Sequence, residues 1–161
     1  MDNSYHRVCL SLGSNIEPAE NLSAAVDLLR EQTTVLAVSR AWRTAAVGMS
    51  GPDFLNAAVL VLTERSIQSL KDCVLRKIEA RLGRVRSEDK YTPRTIDIDI
   101  LLYDNQVVDP ELWALAHLAQ PVAELLPDLT VPGSSKTLDQ VARSLVQQSG
   151  ITPCPDMLEC I

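Results

Sequence analysis

Apolar and polar positions alternate along Pro93-Arg94-Thr95-Ile96-Asp97-Ile98-Asp99-Ile100-Leu101-Leu102, and the end of that run is wholly apolar. A period of two predicts a β-strand with Thr95, Asp97 and Asp99 on one face and Ile96, Ile98, Ile100 and Leu102 on the other, facing a core. Other apolar runs predict a short strand over 8–12 that ends in a turn at Gly13-Ser14-Asn15, a strand over 34–44, and a more deeply buried strand over 54–62.

Helical spacing accounts for much of the rest. Pro18, with Glu17 and Glu20 at the positive end, opens a helix carrying Leu22, Val26 and Leu29 to about residue 30. Ser66 caps a second helix with the stripe Ile67, Leu70, Val74, Ile78 and Leu82, stopped by Gly83. Thr137 caps a final helix over 137–146. The segment 113–126 is less regular, with one or two helical turns at 122–126, and Asp104-Asn105-Gln106 reads as a tight turn before a short return strand. The loop 45–53 can wall a pocket, and the charged stretch 84–92 feeds the acidic strand as an exposed loop. Strands separated by two helices, with one hairpin, predict an α+β domain with helices covering an antiparallel or mixed sheet, ahead of a doubly wound parallel fold.

A length of 161 residues fits one domain over 1–161, with an irregular tail at about 148–161. The formal charge of −6 argues against a general nucleic-acid binder, so any basic site is local. No apolar run approaches a membrane span and the N-terminus lacks a signal-peptide pattern, so a cytoplasmic location is expected. Four cysteines, Cys9, Cys73, Cys154 and Cys160, show no Cys-x-x-Cys spacing, and reduced thiols are the expectation.

The chemistry concentrates on the acidic strand. Asp97 and Asp99 stand about 6–7 Å apart on one strand face, and their repulsion is worth roughly 2–3 kcal/mol at an effective dielectric near 20. Two hard carboxylates at that spacing suit Mg²⁺ that takes substrate phosphates as further ligands. Arg84, Arg86 and Arg94 nearby suit a polyphosphate. Neither a Walker loop nor a Gly-x-Gly-x-x-Gly occurs, so a nucleotide is held without those loops.

Leu10-Ser11-Leu12-Gly13-Ser14-Asn15, Arg43-Thr44, Phe54-Leu55-Asn56-Ala57-Ala58-Val59 and Gly83-Arg84-Val85-Arg86 through Pro93-Arg94-Thr95-Ile96-Asp97-Ile98-Asp99-Ile100 together resemble the 6-hydroxymethyl-7,8-dihydropterin pyrophosphokinases of folate biosynthesis. The resemblance implies a ferredoxin-like α+β fold, with a mainly antiparallel sheet covered by helices, and transfer of diphosphate from ATP to the pterin hydroxymethyl group with release of AMP. By position it implies two Mg²⁺ ions on Asp97 and Asp99, and phosphate contacts from Arg84, Arg94 and His117. Glu79 and the Ile100 backbone correspond to adenosine contacts, Asn56 to the reader of the pterin amide edge, and Thr44 and Val47 to backbone contacts. Phe54 corresponds to a stacking ring, and Tyr91, standing where the family commonly has Trp, joins the pterin side. An amide inside an otherwise apolar strand costs about 1–3 kcal/mol without partners, which itself favours a ligand-reading role for Asn56. The segment after His117 is about eight residues shorter than the common form and lacks its Arg-x-Phe element; an ATP- or pterin-binding homologue with weak turnover is therefore the alternative. ATP and the pterin are the expected partners of a monomer, without nucleic acid or membrane.

Overall fold

The computed structural model describes residues 4–45, 52–84 and 95–154. In chain order the elements are β1 (His6–Ser14), α1 (Pro18–Gln32), β2 (Thr34–Val38), β3 (Ala41–Thr44), β4 (Phe54–Thr63), α2 (Ile67–Leu70), a π-helical turn (Lys71–Leu75) and α3 (Arg76–Arg81). They continue with β5 (Asp97–Tyr103), β6 (Gln106–Val107), a 3₁₀ turn (Pro110–Trp113), α4 (Ala116–Leu125), α5 (Leu138–Ser149) and β7 (Thr152–Cys154).

The described strands form one antiparallel, seven-stranded sheet in the order β6-β5-β1-β4-β3-β7. β2 joins by pairing with the second half of β4, next to where β3 pairs with the first half. The four central positions, β5-β1-β4 and then β2 with β3, make the ferredoxin-like α+β arrangement. One face packs Val8, Leu10, Leu12, Val59 and Ile98 against α1 and the α2–α3 helix. The other packs Cys9, Ala58, Leu60 and Leu102 against α4 and α5. No helix of the described residues is long and apolar enough to cross a membrane.

Local signals explain most boundaries. The Ser66 hydroxyl accepts from the Ser69 N–H at 3.2 Å, and Gly83 ends α3 at φ 87°. Thr137 and Gln140 form a reciprocal capping box on α5. Asp104 and Asn105, at φ 51° and 66°, make the β5–β6 hairpin turn. Residues 70, 74, 78 and 82, four apart, drift by about 40° per step around a 3.6-residue helix. The π turn inserts one residue and turns the helix back, so Leu75, Ile78 and Glu79 face inward with Leu70 and Val74.

Several expectations need correction. Residues 34–44 form two strands, because Ser39 leaves the ladder: its N–H donates to Ala58 O at 2.9 Å and its hydroxyl accepts from the Ala58 N–H at 2.8 Å. Gly13 and Ser14 lie within β1 rather than in a turn. Leu102 does not share a face with Ile100: a bulge at Leu101 shifts the register, since Ile100 pairs with Leu10 but Leu102 with Cys9, and Leu102 enters the second core. The segment 113–126 holds a ten-residue helix despite an internal proline at Pro121. The tail at 148–161 is ordered over its first part, where α5 runs to Ser149, Gly150 caps it at φ 70°, and β7 pairs with β3. Cys9, Cys73 and Cys154 are free thiols, and burial pushes Cys9 up to about 12, which keeps it an inert core residue; Cys160 lies outside the described residues.

Candidate active site

Antiparallel register aligns side chains of neighbouring strands into rows. Asp97 pairs with Gly13, Gly13 with Asn56, and Asn56 with Trp42, so four strands contribute one row on the face that α4 covers further along. Asp99 stands across from Ser11 in the row on one side of it, and Phe54 across from Thr44 on the other side. Asp97 is half-buried, Asp99 exposed, Phe54 half-buried and Asn56 buried. The two carboxylates expected to hold metal and the amide expected to read the pterin thus share one sheet face, with glycine between them.

At the β5 end, desolvation by the surrounding protein pushes Asp99 up to about 6, with the charges of Asp97, Glu79 and Asp109 acting in the same direction and Arg76 opposing them. Its outer side stays open to solvent. Arg76 is already held by Glu79, Nη1 to Oε1 at 2.9 Å. The other Glu79 oxygen accepts from the Ile98 N–H at 2.8 Å, so this buried carboxylate caps the edge of β5 that β6 does not reach. By strand alternation the Ile100 N–H faces that same edge. Arg84 follows α3 directly, its N–H donating to Glu79 O at 2.9 Å. The Thr95 hydroxyl is buried without a hydrogen-bond partner beside this end of β5. Among the described residues no three or more His, Cys, Asp or Glu are grouped so that they could hold a metal ion by themselves.

At the β3–β4 end, Asn56 Nδ2 donates to Thr44 Oγ1 at 3.1 Å. Trp42 is pinned by its indole N–H on Glu124 of α4 at 2.9 Å and lies under the Arg40 guanidinium, 5.3 Å from the ring centre. His117, in the first turn of α4, lines a cavity of about 600 Å³ with Arg43, Thr44, Ala45 and Asp53, closed on the far side by the end of α5. Desolvation holds its imidazole below the ordinary histidine value, with Glu111 opposing.

His117 thus shares a cavity with Thr44, and the resemblance pairs it with the phosphates. Arg94, Val47 and Tyr91 lie outside the described residues. Arg76, Asp109, Ser11 and Thr95 were not singled out by sequence; the spacing of Arg76 three residues before Glu79 was the one local signal available.

Residues 9–127 match the family model described as 7,8-dihydro-6-hydroxymethylpterin-pyrophosphokinase, HPPK. The chain belongs to the HPPK family. It is 40% identical over 141 residues to the 2-amino-4-hydroxy-6-hydroxymethyldihydropteridine pyrophosphokinase of Methylorubrum extorquens, covering 80% of this chain and 88% of that one. The enzyme of the same name from Pseudomonas aeruginosa is 37% identical over 138 residues, covering 78% and 84%. The fold is shared with the crystal structure of Plasmodium falciparum HPPK-DHPS with pteroate, at a TM-score of 0.73 and 11% identity, over 92% of this chain and 44% of that longer one. Like its HPPK relatives, this chain is a pyrophosphokinase.

Proposed function

We propose that this protein transfers the β,γ-diphosphate of ATP to the hydroxymethyl oxygen of 6-hydroxymethyl-7,8-dihydropterin, releasing AMP, in folate biosynthesis. The observation that carries the reading is the row Asp97–Gly13–Asn56. Two interstrand spacings separate its ends, roughly 10 Å between backbones, which suits a bicyclic heterocycle read at one end and presenting its hydroxymethyl arm at the other.

The residues at the β5 end fit Mg²⁺. Asp97 and Asp99 are hard oxygen ligands and the charge of Asp97 helps to raise Asp99, a pairing that a Mg²⁺ ion relieves while keeping positions for water and phosphate oxygens. Two ions held by this pair neutralise the triphosphate when bound. Arg84 and Arg94 grip phosphate oxygens, and the Thr95 hydroxyl, buried without a hydrogen-bond partner, donates to the same anion. The Ile100 N–H at the free edge of β5 takes the adenine, with Glu79 holding that edge in place.

Asn56 binds the pterin amide edge, the backbone at Thr44 and Val47 adds hydrogen bonds, and Phe54 and Tyr91 stack on the ring. His117, whose pKa is lowered by desolvation, lines the cavity with Thr44 and is available to the phosphates, as the resemblance implies. With both substrates so held, the hydroxymethyl oxygen attacks the β-phosphorus in line and AMP departs; positioning supplies much of the acceleration.

Purified protein is mixed with ATP, Mg²⁺ and hydroxymethyldihydropterin, and AMP is measured. AMP release that requires the pterin is expected. Binding of both substrates with no pterin-dependent AMP would reduce the protein to a binding homologue.

A further inference from the structure

The helices on the sheet face turned away from Asp97 and Asn56 enclose a second cavity. It measures about 410 Å³ and opens between the last turns of α1 and the helix made of α2, the π turn and α3. Its floor is apolar, built by Leu28 of α1 with Val74 and Ile78 of the first core. Its rim is basic. Arg65 enters from the loop ahead of α2, and Lys77 and Arg81, four residues apart, line the helix side. Glu31 is the one acid among the described lining residues, so three cations face one carboxylate on a chain of formal charge −6.

These cations are not neutralised from within. Neither Lys77 nor Arg81 makes an ion pair among the described residues, and the Arg65 guanidinium donates to the neutral Ser69 hydroxyl at 3.0 Å. Elsewhere the chain matches its arginines with acids: Arg30 with Asp27, Arg40 with Glu124, Arg143 with Asp139. The π turn brings Cys73 into the same wall, four residues before Lys77, and such turns inside α-helices are frequent where function uses the helix.

The volume falls in the range of small-molecule sites, roughly 300–1,000 Å³. An apolar floor takes a ring or a short hydrocarbon body, and three cations take acidic groups through charge-assisted hydrogen bonds. Bare inorganic phosphate would leave the floor uncovered, and a neutral apolar compound would leave the cations unmatched. We propose that this cavity is a second ligand site, separate from the nucleotide and pterin sites, for a small organic dianion with an apolar body. Carboxylate and phosphate groups share the chemistry that Arg65, Lys77 and Arg81 recognise, and the experiment tells them apart.

Cys73 is a local reporter, because its thiol is exposed at the cavity wall. The full chain, with neither ATP nor pterin present, is alkylated with iodoacetamide, and mass spectrometry follows the peptide that carries Cys73. The probes are naphthyl phosphate, naphthalene dicarboxylate and uncharged naphthol. At millimolar concentration the two anions are expected to slow alkylation of Cys73 several-fold, and naphthol is not. The double variant Lys77→Gln, Arg81→Gln, at two exposed positions, weakens that protection about tenfold, the loss expected for two partly solvated charge contacts. Each protein is compared with its own probe-free rate, so a change in the intrinsic reactivity of the thiol drops out. Protection by one anion alone supports the site and names the acid group it prefers. Protection by neither anion, protection by naphthol equal to theirs, or protection undiminished in the double variant overturns the inference. Since neither substrate is present, the functional reading stands in every case.

Discussion

The two ends of the polar row are built on opposite principles. At the β3–β4 end the protein satisfies its own polar groups: Asn56 bonds Thr44, and Trp42 bonds Glu124 on the helix behind it. At the β5 end like charges accumulate around Asp99, and Arg76, whose charge opposes them, is also bound to Glu79. On the proposed reading the first end is pre-organised and binds the pterin by shape and hydrogen-bond order, and the second, where neighbouring carboxylates help raise Asp99, takes up cations that arrive with the substrate. The opposite sheet face has no such division, because α1 and the α2–α3 helix cover it with aliphatic side chains.

The contrast breaks most visibly when the β5 end loses a carboxylate. Asp97→Ala and Asp99→Ala are each expected to lower turnover at least about 10²-fold, because each removes a ligand of the metal that stabilises transition-state charge. Ile98→Val, which points into the core, should do far less. Steady-state rates at saturating Mg²⁺ decide this, and near-parental rates in the Asp variants would refute the metal assignment.

At the pre-organised end, Asn56→Ala should weaken pterin binding by about 1–3 kcal/mol through unpaired polar partners, while ATP binding without pterin barely changes. Calorimetry with each ligand separates the roles. An equal loss for both would make Asn56 a support of the fold, and the difference between the two ends would disappear.

Only the β5 end should respond strongly to mild acid. A carboxylate pushed up to about 6 takes a proton below that pH, and a protonated carboxyl is a poor Mg²⁺ ligand. Metal affinity should be weaker at pH 5 than at pH 7.5, because part of the Asp99 carboxyl is protonated there. A flat titration over this range would mean that Asp99 ionises like an ordinary surface carboxylate.

What could be read in advance follows the same division. The carboxylates were legible because a strict period of two put both on one face of a strand that needed no partner to be recognised. The order of strands and the pairing of Asp97 with Gly13 and Asn56 were not, since register is decided by contacts between segments more than forty residues apart in sequence. Only the last turn of α4 was expected, because Pro121 cannot donate to the His117 carbonyl and reads as a breaker, yet the helix extends back to Ala116 where Leu118, Ala119 and Val122 are buried on the second core. The bulge at Leu101 was hidden because an apolar pair reads alike on either face.

The smallest effect concerns stability, and it has the opposite sign to the loss of activity. Asp99 titrates near 6 in the folded chain against 3.8 as an isolated group, so folding disfavours its ionised form. Below about pH 3.8 the group is protonated in both states and carries no penalty; the penalty grows as pH rises toward 6 and is complete above it. Asn is isosteric with the protonated carboxyl and never acquires the charge. Asp99→Asn should therefore match wild type near pH 4 and be the more stable of the two at pH 7 in the presence of a chelator. Solvent screens this exposed side chain, which keeps the gain to a fraction of a kcal/mol, on the scale of surface charge pairs. Thermal melts of both proteins at the two pH values test the sign. A variant that is less stable than wild type at pH 7 would show that Asp99 is held by favourable contacts within the protein, and the β5 end would then be as self-sufficient as the end that holds Asn56.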